Sequence, residues 1–213
     1  GRILRTESSN GSVWVNKKTF PGGEGGTANA VPDEGNTMEI WDLYTIDRGH
    51  TGRTHIRGEK IPEGCFHLVV HVWIKNNKGQ YLISQRSPSR PSFPSMWECV
   101  GGSVLAGEDS LTGAIREAKE EVGISLPPES GRLLFTKVRS VINGQQFSDI
   151  LDVWLFQHNA EVSLSDATTD EVSQIQWMYP DEIRTLLDSR KLVENLAYFF
   201  EEIEKEETIN DLS

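Results

Sequence analysis

The sequence predicts an α+β sandwich, a mixed sheet of short strands held between helices, and three observations predict it. Strand-length apolar runs punctuated by Gly, Pro, Asn and Asp recur from residue 39 to residue 179. A segment with helical period, residues 108–122, interrupts them, and a second, residues 191–206, follows them. A chain of 213 residues is long enough for one domain with a substantial core and polar tails.

Residues 1–37 carry seven glycines, several Ser, Asn and Thr, and a Gly-Gly-Glu-Gly-Gly run at 22–26. Such a composition does not repay the entropy of ordering, so the segment is expected to be a flexible or vector-derived tail. Met38, the first methionine, stands where patterned sequence begins and is a candidate natural start. The expected organisation is an N-terminal segment 1–37, a domain over 38–206 and a C-terminal tail 207–213.

Residues 39–46 alternate apolar and polar positions as a first strand, closed by a turn at Asp47-Arg48-Gly49. In residues 51–62, Arg53, His55 and Arg57 occupy alternate positions, which on an edge strand share one face. That face can meet acidic side chains, solvent or a phosphate, so Arg53 and Arg57 are candidate substrate contacts. Residues 65–74 read as a buried strand, and Asn76-Asn77-Lys78-Gly79 as a hairpin turn into residues 80–85. His67 and His71 lie four apart on one face of that strand, where hydrogen-bonded core groups are the ordinary reading and metal ligands the alternative.

Pro88, Pro91 and Pro94 exclude regular structure from residues 87–96, which lead into Trp97-Glu98-Cys99-Val100 and the pair Gly101-Gly102. After the helix, Pro127-Pro128 forces a break. Residues 133–141 and 147–158 then read as strands joined at Asn143-Gly144, with Asp149 and Asp152 facing either the site or solvent, of which solvent is the expectation. A polar loop at 163–171 precedes a last strand at 175–179. Pro180 opens a helix with Asp181 and Glu182 in its first turn, and the final helix gathers Leu192, Leu196, Phe199, Phe200 and Ile203 on a core face.

A formal net charge of −11 argues against a grip on DNA or RNA, whose backbones are bound mainly by Lys and Arg. No apolar run reaches the ~18 residues of a membrane helix. The N-terminus shows no apolar signal core, and the two cysteines, Cys65 and Cys99, fit a reduced cytoplasmic setting and read as small buried residues. The expected partner is therefore a small molecule, not a nucleic-acid polymer or a membrane. The sequence leaves the oligomeric state open, a dimer included.

The chemistry concentrates in residues 108–122. At about 100° per residue, Glu117, Glu120 and Glu121 project from one side of the helix, beside an apolar stripe of Leu111, Ala114, Ile115, Ala118 and Val122. Three adjacent carboxylates raise one another's pKa unless a cation sits among them. A hard divalent ion, magnesium or manganese, meets that need and completes its shell with water and substrate phosphate. Arg116 precedes the triplet, and Glu108, two turns earlier, is placed to orient its guanidinium. The alternative is a solvated acidic face.

Spacing favours the first reading. Gly102, five residues, Glu108, seven residues, then Arg116-Glu117-Ala118-Lys119-Glu120-Glu121-Val122-Gly123-Ile124 matches all nine fixed positions of a 23-residue signature. The segment closely resembles the Nudix hydrolases, and the resemblance implies a Nudix α/β/α sandwich with a mixed central sheet. It further implies a loop-helix-loop holding Mg2+ or Mn2+ against a diphosphate, in enzymes that split a nucleoside diphosphate linked to another group. Glu117, Glu120 and Glu121 become metal ligands together with the Gly101 carbonyl, and Glu108 and Gly102 support them. Arg116 orients the glutamates. The general base is Glu117 or Glu171, the latter six residues before Trp177 as in some family members, with Asp170 as its competitor. The front half, through His67, the Asn-Asn-Lys-Gly turn, Arg86 and Trp97, also resembles the isopentenyl-diphosphate isomerase branch, which adds these three side chains to the candidate substrate contacts. That isomerase uses a Cys and a His where this chain has Gly101 and Ser103. A non-catalytic sensor of the same fold is the third reading, although such modules generally lose signature glutamates. Trp73, Phe93, Trp97, Trp154 and Tyr179 are candidate base-stacking groups or core aromatics.

Overall fold

The structure, a computed structural model, describes residues 38–142 and 145–205, the side chains of residues 141, 142 and 145–147 excepted. Residues 1–37, the turn expected at Asn143-Gly144, and residues 206–213, which include the last residue of the expected domain and the expected tail, lie outside the described residues. The described chain opens with a hairpin in which β1 (Ile40–Tyr44) pairs antiparallel with β2 (His50–Ile56). Then come β3 (His67–Lys75), β4 (Tyr81–Arg86), β5 (Trp97–Glu98), β6 (Val100–Ser103), α1 (Ser110–Val122), β7 (Gly131–Ile142), β8 (Gln145–Gln157), β9 (Val172–Met178) and α2 (Pro180–Asp188).

β3 is the axis of the main sheet. It runs parallel to β8 from His67↔Asp149 to Lys75↔Gln157, and β7 continues the sheet antiparallel to β8. A parallel pair requires a crossover, and α1 lies within it. After the Asn76–Gly79 turn, β4 stays in register with β3 only at Lys75↔Tyr81, then diverges to pair with β5 and β9. β6 takes the vacated edge of β3, pairing Val70 with Gly102 and His71 with Gly101. The chain thus changes strand partner at Cys99, and the two glycines are delivered to the split in the sheet.

Because side chains alternate along a strand, β3 serves two cores. Leu68, Val70, Val72 and Ile74 pack with Ala114, Ala118 and Val122 of α1, while Trp73 joins Phe199, Phe200 and Ile203 of the C-terminal segment on the opposite face. Each apolar side chain fully buried in this way contributes about 1.5–3 kcal/mol relative to exposure. The helix α1 starts at Asp109, whose carboxylate accepts from Thr112 N at 2.8 Å, and stops at Gly123, whose φ of 75° is the left-handed cap glycine adopts at least cost.

Three expectations are corrected. The final helix does not start at Lys191: Leu192 forms a parallel bridge with Trp97, a 3-10 turn follows at Glu194–Leu196, and Phe199–Ile203 winds as a π-helix. Its apolar face is nonetheless buried as expected. Asp149 and Asp152 do not face solvent. Asp149 is buried against Arg139 (2.6 and 2.9 Å), and Asp152, fully buried, receives Arg48 and Thr136. Finally, Arg53, His55 and Arg57 do not form one exposed cationic trio: His55 is buried, with Nε2 3.1 Å from Glu59 O, while both arginines stay exposed and Arg57 lies beyond the end of β2.

Candidate active site

The acidic face of α1 is organised by one side chain. Arg116 Nε contacts both Glu108 oxygens at 2.9 and 3.1 Å. Its Nη1 donates to Glu117 Oε1 and to Glu120 Oε2, each at 2.9 Å, and Nη2 donates to Ser103 O at 2.9 Å and Glu108 Oε2 at 3.1 Å. An arginine has five N–H groups, and here each is aimed at an oxygen. The guanidinium therefore spaces the glutamates and retains no donor for a ligand.

Glu117 and Glu121 are buried and Glu120 is half-buried. Burial pushes the Glu117 carboxyl up; Arg116 pulls it down, and Glu120 and Glu171 push it up again. Burial also pushes Glu121 up, reinforced by the charges of Glu117, Glu98 and Glu171, against one donor, Gly101 N–H at 3.3 Å. A set of carboxylates held at such electrostatic cost gains from a cation in their midst. Gly102 passes beneath them: a Cβ there would lie 2.3 Å from Glu117 Oε1 and 2.5 Å from its carboxyl carbon, so only glycine leaves the Glu117 carboxylate its place.

Two further ion pairs border the triplet. Arg86 Nη1 meets Glu98 Oε1 at 2.5 Å, and Arg90 Nη1 meets Glu171 Oε1 at 2.5 Å. A cavity of about 100 Å³ beside the glycines is lined by His71, Glu98, Cys99, Gly101, Gly102 and Asn195. Glu98, Arg90 and Asn195 were not singled out from sequence. An acidic residue inside the apolar run 97–100 was the available signal for Glu98; the other two reach the site only through tertiary packing.

The donor set suits a hard cation, since every side chain of the triplet offers carboxylate oxygen. Among the described residues, no three His, Cys, Asp or Glu side chains are grouped to hold a metal ion by themselves. Arg116 draws Glu117 and Glu120 to itself, and a magnesium-type ion takes only one or two carboxylates where phosphate and water supply the rest. The residues fit a metal shared with substrate.

Glu108, Arg116, Glu117, Glu120, Glu121, Gly101, Gly102, Glu171 and Arg86 thus fall in one neighbourhood. Four other candidates do not contact the triplet. Arg57 pairs with Glu39, and Arg53 lies 3.8 Å from the Cys65 sulfur. His67 stacks on Trp41 with ring centroids 4.1 Å apart. Trp97 is buried in the core. Of the candidate stacking aromatics, Trp73 is core as well, Trp154 donates to Ser110 Oγ at 2.9 Å, and Phe93 and Tyr179 are exposed. Cys65 and Cys99 are buried free thiols, and no helix among the described residues is long and apolar enough to cross a membrane.

A split mixed sheet that brings a glycine pair under a glutamate-bearing helix defines an α+β domain of the loop-helix-loop class. The NUDIX domain model matches residues 66–202, and the chain belongs to the Nudix family. It is 36% identical over 164 residues to the uncharacterized Nudix hydrolase lin0387 of Listeria innocua, covering 76% of this chain and 91% of that protein. It is 31% identical over 129 residues to an isopentenyl-diphosphate Delta-isomerase of Shigella boydii, covering 60% of this chain and 69% of that protein. The crystal structure of DR0079 from Deinococcus radiodurans, 23% identical, superimposes with a TM-score of 0.57 over 73% of this chain and 92% of that one, which shows the same fold.

Proposed function

We propose that the protein is a divalent-metal-dependent pyrophosphohydrolase that cleaves the diphosphate linkage of a nucleoside diphosphate joined to another group. The observation that carries this reading is the Arg116-centred array, in which one guanidinium holds Glu117 and Glu120 at 2.9 Å each while Glu121 sits buried beside Gly101. Glu117, Glu120, Glu121 and the Gly101 carbonyl would hold Mg2+ or Mn2+. When bound, such an ion neutralises phosphate oxygens and lowers the pKa of water.

The chain's own residues do the remaining work. Arg116 fixes the carboxylates before substrate arrives, so little reorganisation is left for the reaction. A carboxylate oxygen of Glu117 or Glu171 takes the proton of the attacking water, a role commonly contributing ~10²–10⁴-fold. Burial raises the proton affinity of Glu117 and suits it to that task. Arg86 lies at the edge of the site as a phosphate contact. The hydrolase reading is preferred to the isomerase because Gly101 and Ser103 replace the Cys and His of that branch, and the Ser103 carbonyl is engaged by Arg116.

The test is a magnesium-dependent panel of ADP-ribose, NADH, coenzyme A and nucleoside triphosphates, with isopentenyl diphosphate alongside and with residues 1–37 present or removed. Hydrolysis of a diphosphate compound, lost in Glu120→Gln with the fold intact, is the expected result. Wild-type activity in Glu120→Gln, or isomerisation without hydrolysis, overturns the reading.

A further inference from the structure

Arg90 is held away from the centre of the site by a contact that a substrate can replace. Its Nη1 pairs with Glu171 Oε1 at 2.5 Å, yet the two side chains keep 22% and 31% of their surface exposed. Its Nε is buried and has no hydrogen-bond partner among the described residues. Arg116 is similarly exposed at 19% but differs in its donors, every one of which is engaged by the signature segment itself.

Glu171 stands among the acids it would join: its charge raises the Glu117, Glu121 and Glu98 carboxyls. Its backbone is anchored independently, since Glu171 O accepts from Ser87 N at 2.7 Å, so its carboxylate can turn without the chain moving. The loop carrying Arg90 holds two non-glycine residues in the left-handed region, Phe93 at φ 51° and Ser95 at φ 61°. Backbone strain of this kind persists where surrounding structure enforces it, and it clusters at ligand clamps and switches.

We propose that Arg90 is a substrate-exchanged latch: it occupies Glu171 until a diphosphate takes its guanidinium, and the exchange releases Glu171 to the metal-binding acids. The proposal rests on the diphosphate reading of the site and adds the order in which its charges assemble. A diphosphate oxygen offers Arg90 a charge-assisted acceptor equivalent to the one it gives up, and the buried Nε gains the chance of a partner. Glu171 then adds a carboxylate beside Glu117 and Glu121 only once phosphate is there to share the metal.

The test separates the two halves of the exchange. Calorimetry on the full chain measures Mn2+ alone and, in a second titration, methylenediphosphonate alone. In Arg90→Ala, Mn2+ binding tightens several-fold because Glu171 is freed, while diphosphonate binding weakens about tenfold, the loss of roughly one charge-assisted hydrogen bond. Glu171→Gln, which removes charge but almost no volume, reads the exchange from the other side: diphosphonate binding tightens and Mn2+ binding does not. Loss of structure would weaken both ligands in Arg90→Ala, and Glu171→Gln then decides. Affinities that stay unchanged, or move together in the folded variants, overturn the latch. If the wild-type chain hydrolyses no diphosphate while the opposed shifts appear, the hydrolase reading fails and the latch stands; turnover with parallel titrations has the reverse meaning.

Discussion

The Arg48 guanidinium closes on the Asp152 carboxylate at two points, Nη1 to Oδ1 at 2.7 Å and Nη2 to Oδ2 at 2.5 Å. Asp152 is fully buried, receives Thr136 Oγ1 at 2.6 Å, and is supported by the Ser110 hydroxyl at the start of α1. The β1–β2 turn, β8 and the glutamate-bearing helix are thereby tied together. Arg48→Ala leaves a buried anion with its main partner gone, a loss that typically costs ~3–5 kcal/mol. Because 38% of the Arg48 side chain is exposed, water offsets part of that. About 2–3 kcal/mol is expected in urea unfolding. Asp152→Asn costs less, since its amide oxygen still accepts from Thr136 and Arg48 can turn to solvent. A larger loss in Asp152→Asn would show that the carboxylate is not the strained partner.

Glu108 reaches the triplet only through Arg116. Glu108→Ala frees the guanidinium to collapse onto Glu117 and Glu120. Outer partners of this kind typically matter by ~10–100-fold. Metal affinity and kcat/KM are expected to fall by about that range with thermal stability nearly unchanged. Unaltered Mn2+ binding would remove Glu108 from the site.

Gly102→Ala places a methyl group where the Glu117 carboxylate lies, with contacts of 2.3 and 2.5 Å to relieve. A displacement of about 1 Å at a reacting centre costs up to ~10²-fold. Metal-dependent turnover should drop accordingly while the sheet persists. Turnover within twofold of wild type would mean that Glu117 has freedom to move aside.

His67 supplies a pH dependence that does not involve the triplet. Burial, then the charges of Arg139, His55 and Arg57, lower its pKa to about 4. In the unfolded chain it titrates near ~6.5. Between those values the unfolded state binds the extra proton, so stability is complete above pH ~6.5 and is lost as pH falls toward about 4, by roughly 3 kcal/mol in all. His67→Phe keeps the stack on Trp41 and does not titrate, and His67 Nδ1 has no hydrogen-bond partner among the described residues to lose. Its stability should therefore fall less steeply over that window, by one proton. Equal slopes, measured by urea unfolding at pH 4.5 to 7, would assign the acid sensitivity elsewhere.

How far the sequence carries can be read from particular elements. The helix α1 was legible because its determinants are local: a period of 3.6, an Asp N-cap, a Gly C-cap and a repeat of small apolar residues. The final helix departs from its expected start because apolar spacing of helical period runs through residues 191–193, yet their backbone is taken by Trp97, with Trp97 N to Lys191 O at 2.8 Å and Val193 N to Trp97 O at 2.9 Å. Asp149 and Asp152 look solvent-facing in sequence because nothing nearby in the chain marks their partners. Arg48 lies 104 positions from Asp152. The cationic trio expected of Arg53, His55 and Arg57 is broken at His55, whose burial against Trp41 and Glu59 depends on packing that the strand pattern does not mark.

By itself, the sequence determined the strand and helix periods, the acid triplet on one turn of α1 and its arginine, all of which depend on residues within about two helical turns of one another. Tertiary structure alone decided which charges neutralise which: Arg48 on Asp152, Arg139 on Asp149, Arg86 on Glu98 and Arg90 on Glu171. The physical reason is that a buried or crowded charge must find a counter-charge within a few ångströms, and the fold, not the order of residues, sets which one is within reach.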